Sequence, residues 1–106
     1  MELLNEHQEE VEAACINFKV DELYAFGSIL GEQFNSESDI DFIVSIFADD
    51  PIEYAEYYFD LKFELQKIFN REIDLLEEKA IRNRTFEYLV NPQKKLIYAR
   101  RDKSLA

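Results

Sequence analysis

Residues 39–47, DIDFIVSIF, set two aspartates one residue apart at the head of an otherwise almost continuous apolar run. Such a run reads as a β-strand in the interior of a sheet. Side chains alternate along a strand, so Asp39 and Asp41 share one face, their Cα atoms roughly 6–7 Å apart. Ile40, Phe42 and Val44 take the other face. Two carboxylates this close raise each other's pKa unless they are solvated, paired or neutralised by a cation.

The remaining pattern supplies the elements around that strand. Residues 3–17 carry Leu4, Val11 and Cys15 on one helical stripe that continues to Phe18. ELYAF, residues 22–26, is strand-like and runs into Gly27-Ser28, and residues 29–37 form a polar, partly helical connection. After the aspartate strand, Asp50 and Pro51 predict an N-cap and a first helical residue. Tyr54, Tyr58, Leu61, Leu65 and Ile68 then fall at helical spacing as far as Phe69. NRE breaks that helix, IDLL at 73–76 is a short third strand, and a helical tail follows. KKLIYARR closes as a last strand or a helical turn. The order predicts an α/β fold, a small mixed β-sheet covered by helices.

With 106 residues, two glycines, two prolines, no repeat and no linker, the chain reads as one domain, 1–106. Its 47% hydrophobic content suits a packed interior. No window approaches the roughly 20 apolar residues of a membrane span. MELLNEHQEEVE lacks the layout of a signal peptide, so a cytoplasmic protein is expected. A lone cysteine, Cys15, rules out an internal disulfide and reads as a small core residue, and His7 as surface or helix edge. The net charge of −11 argues against direct nucleic-acid binding and favours a basic protein partner or a bound metal. For most of the glutamates, a solvated surface is explanation enough.

Two further features join the aspartates. Asp74 lies between Ile73 and Leu75, where an apolar strand has no structural use for a charge. If this strand lies beside the first, three carboxylates converge in an arrangement able to hold two magnesium ions about 3.5–4 Å apart. Gly27-Ser28, ending the preceding strand, offers close backbone approach, N–H groups and a hydroxyl to a phosphate.

Gly27-Ser28, ten residues, Asp39-x-Asp41 and a later strand aspartate together resemble the signature of the polymerase-beta-like nucleotidyltransferase superfamily. Phe34 before SESDID, the YYFDLKFELQKIF helix, REIDLL and KAIRN are similar to its minimal nucleotidyltransferases, and the likeness runs over roughly residues 3–100. The resemblance implies attack of a hydroxyl on the α-phosphorus of ATP, with two magnesium ions held by Asp39, Asp41 and Asp74. It further implies that Asp74 takes the proton of the attacking hydroxyl, that Gly27 and Ser28 contact the triphosphate, and that the partner is a HEPN-domain toxin. The chain would be the antitoxin and would adenylate a tyrosine of that ribonuclease.

The sequence departs from the pattern at one point: the turn after Gly-Ser reads Ile29-Leu30-Gly31-Glu32, without the basic residue many relatives carry there. Arg71, Lys79, Arg82 and Arg84 near the third strand could substitute, though each is more often an ordinary surface charge. The basic tail, Lys94, Lys95, Arg100, Arg101 and Lys103, reads as a solvated terminus, and the tyrosines of EYAEYYF as core or a subunit interface of a homo-oligomer. Two rival functions stand beside the enzyme: a silent module that neutralises a HEPN toxin by binding alone, and transfer to a small molecule.

Overall fold

The computed structural model describes residues 2–26, 39–78 and 94–100. Two short helices, α1 (Glu2–Glu6) and α2 (Gln8–Asn17), lead into β1 (Val20–Phe26); β2 (Ile40–Ile46), α3 (Pro51–Phe69), β3 (Ile73–Glu77) and β4 (Lys95–Ala99) follow. The strands form one sheet in the order β3-β2-β1-β4. β1 runs antiparallel to β2 and to β4, whereas β2 and β3 are parallel and joined through α3. The sheet is therefore mixed, as the sequence pattern anticipates. Parallel neighbours need a long crossover, and the 19 residues of α3 supply it.

Alternation sorts the side chains of each strand. Ile40, Phe42, Val44 and Ile46 of β2, Leu23 and Ala25 of β1, and Ile73 and Leu75 of β3 are buried in one core with the helices. Leu4, Val11 and Cys15 enter it from the N-terminal helices, and Leu61, Leu65 and Phe69 from α3. The 3–17 helix is broken at His7, whose backbone leaves helical geometry. There the His7 ring meets Phe69 edge-on at 5.3 Å and its Nδ1 lies 2.9 Å from Glu10 Oε1. Cys15 is fully buried, and desolvation pushes its thiol up to about 12.

Both ends of α3 carry the chemistry their positions require. The Asp50 carboxylate accepts from the Ile52 N–H, and Pro51 fills the first helical position, where no N–H is needed. At the other end Asn70 takes the left-handed conformation, φ 52° and ψ 47°, and stops the helix before β3. Tyr58 donates to the Leu75 carbonyl and, with Tyr54 and Tyr57, packs at the margin of the core. The opposite side of α3 is also apolar: Ile52, Phe59 and Phe63 are 71%, 52% and 62% exposed, beside Glu53, Glu56 and Asp60.

β4 is tied to β1 beyond its ladder. The Arg100 side chain donates to Asp21 Oδ1 at 2.9 Å, its backbone N–H donates to the Asp21 carbonyl, and its guanidinium lies over the Phe47 ring. Among the described residues no helix is long and apolar enough to cross a membrane. Residues 29–37 and the helical tail expected after β3 lie outside the described residues.

Candidate active site

The second face of the sheet holds the carboxylates. Asp41 and Asp74 are cross-strand partners on parallel β2 and β3, so alternation sends both to the side away from the core. Asp39 immediately precedes β2 and is exposed, and Ile40 behind it donates its N–H to the Glu72 carbonyl, locking the start of the parallel pair. The expected adjacency of the two aspartate-bearing strands is thus present.

Charge crowding is visible in Asp41, whose carboxyl is pushed up to about 6. Partial burial is the main cause. The negative charge of Asp74 comes next, with a hydrogen bond in which protonated Asp41 donates to the Asp74 carboxyl, and the charge of Asp39 follows. Among the described residues no three histidine, cysteine or carboxylate side chains stand gathered as a metal cage. Asp41 and Asp74 are cross-strand neighbours, and the charge of Asp39 acts on Asp41. Oxygen-only donors, one with its carboxyl pushed up by burial and by its neighbour, suit a hard divalent cation such as magnesium.

Around the pair, the face is partly apolar. Ile43, two residues along β2 from Asp41, packs with Tyr24, Phe26 and Leu76 in a cluster separate from the main core. Phe26 is the cross-strand partner of Asp41, and Tyr24 that of Ile43. The Tyr24 hydroxyl donates to Glu22 Oε2 at 3.1 Å, and the Lys94 ammonium lies 4.4 Å from the Tyr24 ring centroid. Gly27 and Ser28 follow Phe26 in sequence and lie outside the described residues, as do Lys79, Arg82, Arg84, Arg101 and Lys103.

Lys94 departs from the sequence reading. It was expected in a solvated tail; it stands on the face that carries the carboxylates. Nothing local in the sequence announces that β4 pairs with β1. Tyr24 and Phe26 were legible only as strand residues.

Residues 7–103 match the protein family described as "Polymerase beta, Nucleotidyltransferase". The chain belongs to this family. No curated protein matches the chain. Several solved structures share the nucleotidyltransferase fold. A structure assigned as a minimal nucleotidyltransferase superposes with a TM-score of 0.68 at 22% identity, covering 89% of this chain and 92% of that one. A toxin–antitoxin complex with AMP-PNP gives 0.66 at 18% identity, covering 91% and 76%. The complex of a tri-AMPylated Shewanella oneidensis HEPN toxin with its MNT antitoxin gives 0.53 at 20% identity, covering 92% and 77%. At these identities the likeness is one of fold, and a function has to be argued from this chain's own residues.

Proposed function

We propose that the protein is a magnesium-dependent nucleotidyltransferase that moves AMP from ATP to a tyrosine hydroxyl of a HEPN-domain toxin, and so acts as a cytoplasmic antitoxin. The observation that carries this reading is the Asp41–Asp74 pair, set side by side on the open face of the sheet with Asp39 at the mouth of β2. A strand pair built only for stability has no use for that crowding.

In this reading Asp39, Asp41 and Asp74 would hold two magnesium ions. Bound there, the ions would neutralise the triphosphate and favour ionisation of the attacking hydroxyl. Asp74, more exposed than Asp41, accepts the proton as the tyrosine oxygen bonds to the α-phosphorus. The bond from the α-phosphorus to the bridging oxygen breaks, and pyrophosphate leaves with the electron pair. The chain's contribution is positioning and charge placement for an in-line displacement. Gly27 and Ser28 are assigned to the triphosphate on their motif alone.

The partner assignment draws support from two sides. Fold neighbours were crystallised as toxin–antitoxin complexes, one with an AMPylated HEPN toxin. In this chain, the outward stripe of α3 sets Ile52, Phe59 and Phe63 beside Glu53, Glu56 and Asp60. An apolar ridge with an acidic border suits a partner surface that is apolar with basic residues along its edge.

Incubation with a HEPN-domain toxin, ATP and magnesium, followed by intact-mass spectrometry, tests the proposal. The expected result is an added AMP on a toxin tyrosine, absent with the Asp39→Ala/Asp41→Ala variant. Protection from the toxin that survives in that variant, without any mass change, would identify a silent binding module instead. The absence of a basic residue from Ile29–Glu32 is the sequence feature that favours this second reading.

A further inference from the structure

We propose that Lys94 is the cation that receives the terminal phosphates of the nucleotide, in place of a basic residue after Gly27-Ser28. This rests on the nucleotidyltransferase reading of the Asp39, Asp41 and Asp74 site. Register carries the inference. Asp74 pairs with Asp41, Asp41 with Phe26, and Ala25 with Lys95. One residue outward along β4, Lys94 therefore stands in the same row as Phe26, Asp41 and Asp74. With strands about 4.8 Å apart, its Cα lies about 10 Å from that of Asp41, on the far side of β1.

Its side chain is on the correct face. The ammonium lies over the ring of Tyr24, which shares the carboxylate face with Phe26, Ile43 and Leu76. The Tyr24 hydroxyl is held in turn by Glu22. Tyr24 thus acts as a seat that keeps a long, flexible lysine at one end of the row. An ammonium on an aromatic face retains donors for an incoming oxyanion and exchanges a weak contact for a charge-assisted one.

Electrostatics calls for a cation here. Three aspartates and two magnesium ions sum to about +1, and the triphosphate of ATP brings about −4. Carboxylates at one end of the row hold the α-phosphate side. The residual negative charge needs a cation from the protein, and Ile29-Leu30-Gly31-Glu32, the segment that follows Gly27-Ser28 in sequence, contains none. The Lys94 ammonium, over the Tyr24 ring, is a cation placed on this face.

Calorimetric titration of the full chain with ATP and with AMP, each with magnesium, tests the assignment. Lys94→Gln is expected to weaken ATP at least tenfold and to leave AMP within twofold, since AMP lacks the phosphates Lys94 serves. Lys94→Arg should restore most of the affinity, and Tyr24→Leu should weaken ATP selectively while Tyr24→Phe does not. Circular dichroism melts of each variant report folding independently. Wild-type ATP binding that Lys94→Gln leaves within twofold overturns the role of Lys94 alone. Absence of magnesium-dependent ATP binding in the wild type overturns the underlying site reading with it. An equal loss for ATP and AMP would also reject the phosphate assignment, because it would mark a general structural effect.

Discussion

Asp41 and Asp74 face each other across the parallel β2–β3 pair, and partial burial together with the neighbouring Asp74 charge pushes the Asp41 carboxyl up to about 6. A pH signature follows. The Asp41 carboxyl titrates near 3.8 in an unfolded chain and at about 6 in the folded one. Between those values the folded state binds more protons than the unfolded state, so stability falls as pH rises through this window and levels off above it. Without metal, the melting temperature should therefore drop between pH 4 and pH 6 by more in the wild type than in Asp41→Asn. At pH 7 Asp41→Asn should be the more stable protein by about 1 kcal/mol, well under the full electrostatic value because the pair borders solvent. Melts of both proteins across this range, with chelator present, measure the difference.

Magnesium should reverse that order. A cation shared by the carboxylates removes the repulsion, and any ligand that binds the folded state alone raises its melting temperature by mass action. Millimolar magnesium at pH 7 is expected to stabilise the wild type and to leave Asp41→Asn nearly unchanged. Equal shifts in both proteins would show that the ion binds elsewhere.

Asp74 separates binding from chemistry. Asp74→Asn is expected to slow AMP transfer by roughly 10²–10⁴-fold, the usual range for loss of a general base, and to weaken ATP much less. Single-turnover transfer and calorimetry, measured on the same preparation, decide it. A loss confined to affinity would remove the proton-accepting role.

Asn70 ends α3 at φ 52°, where a Cβ without a compensating polar group is disfavoured. Asn70→Gly should be neutral or slightly stabilising, and Asn70→Val should cost about 1–2 kcal/mol. Denaturant titrations of the two variants should differ in midpoint while sharing a slope.

Cys15 is fully buried with its thiol pushed up to about 12, so little thiolate forms at neutral pH. A thiol reagent should label it no faster than the chain opens, and rapidly in denaturant. Fast native labelling would mean that α2 leaves the sheet far more readily than its packing suggests.

Much of this architecture is written locally. The N-cap and proline at Asp50-Pro51 and the stripe through Leu61 and Leu65 needed only nearest neighbours along the chain, and the structure places α3 as that pattern predicts. The burial alternation of β2 was equally plain, because one face must be apolar for the strand to pack. His7 was harder. The break it makes between α1 and α2 accompanies contact with Phe69, sixty-two positions away, which no window of helical periodicity contains.

For the candidate site the division is sharper. That Asp39 and Asp41 share a face is a consequence of the two-residue period of a strand, and the oddity of Asp74 inside an apolar run is visible by inspection. Their meeting is not. It depends on β2 and β3 lying parallel with Asp41 opposite Asp74, a register that the α3 crossover and the core contacts of Ile73 and Leu75 select together. Lys94 is the extreme case: its place beside Phe26 arises from β4 crossing to the far edge of the sheet. Chain-local patterns settle which residues can be strand, helix or cap, because those preferences act over a few bonds. Which charges share a face across four strands is decided by tertiary packing, because strand order follows from the burial of the whole core and from no single segment.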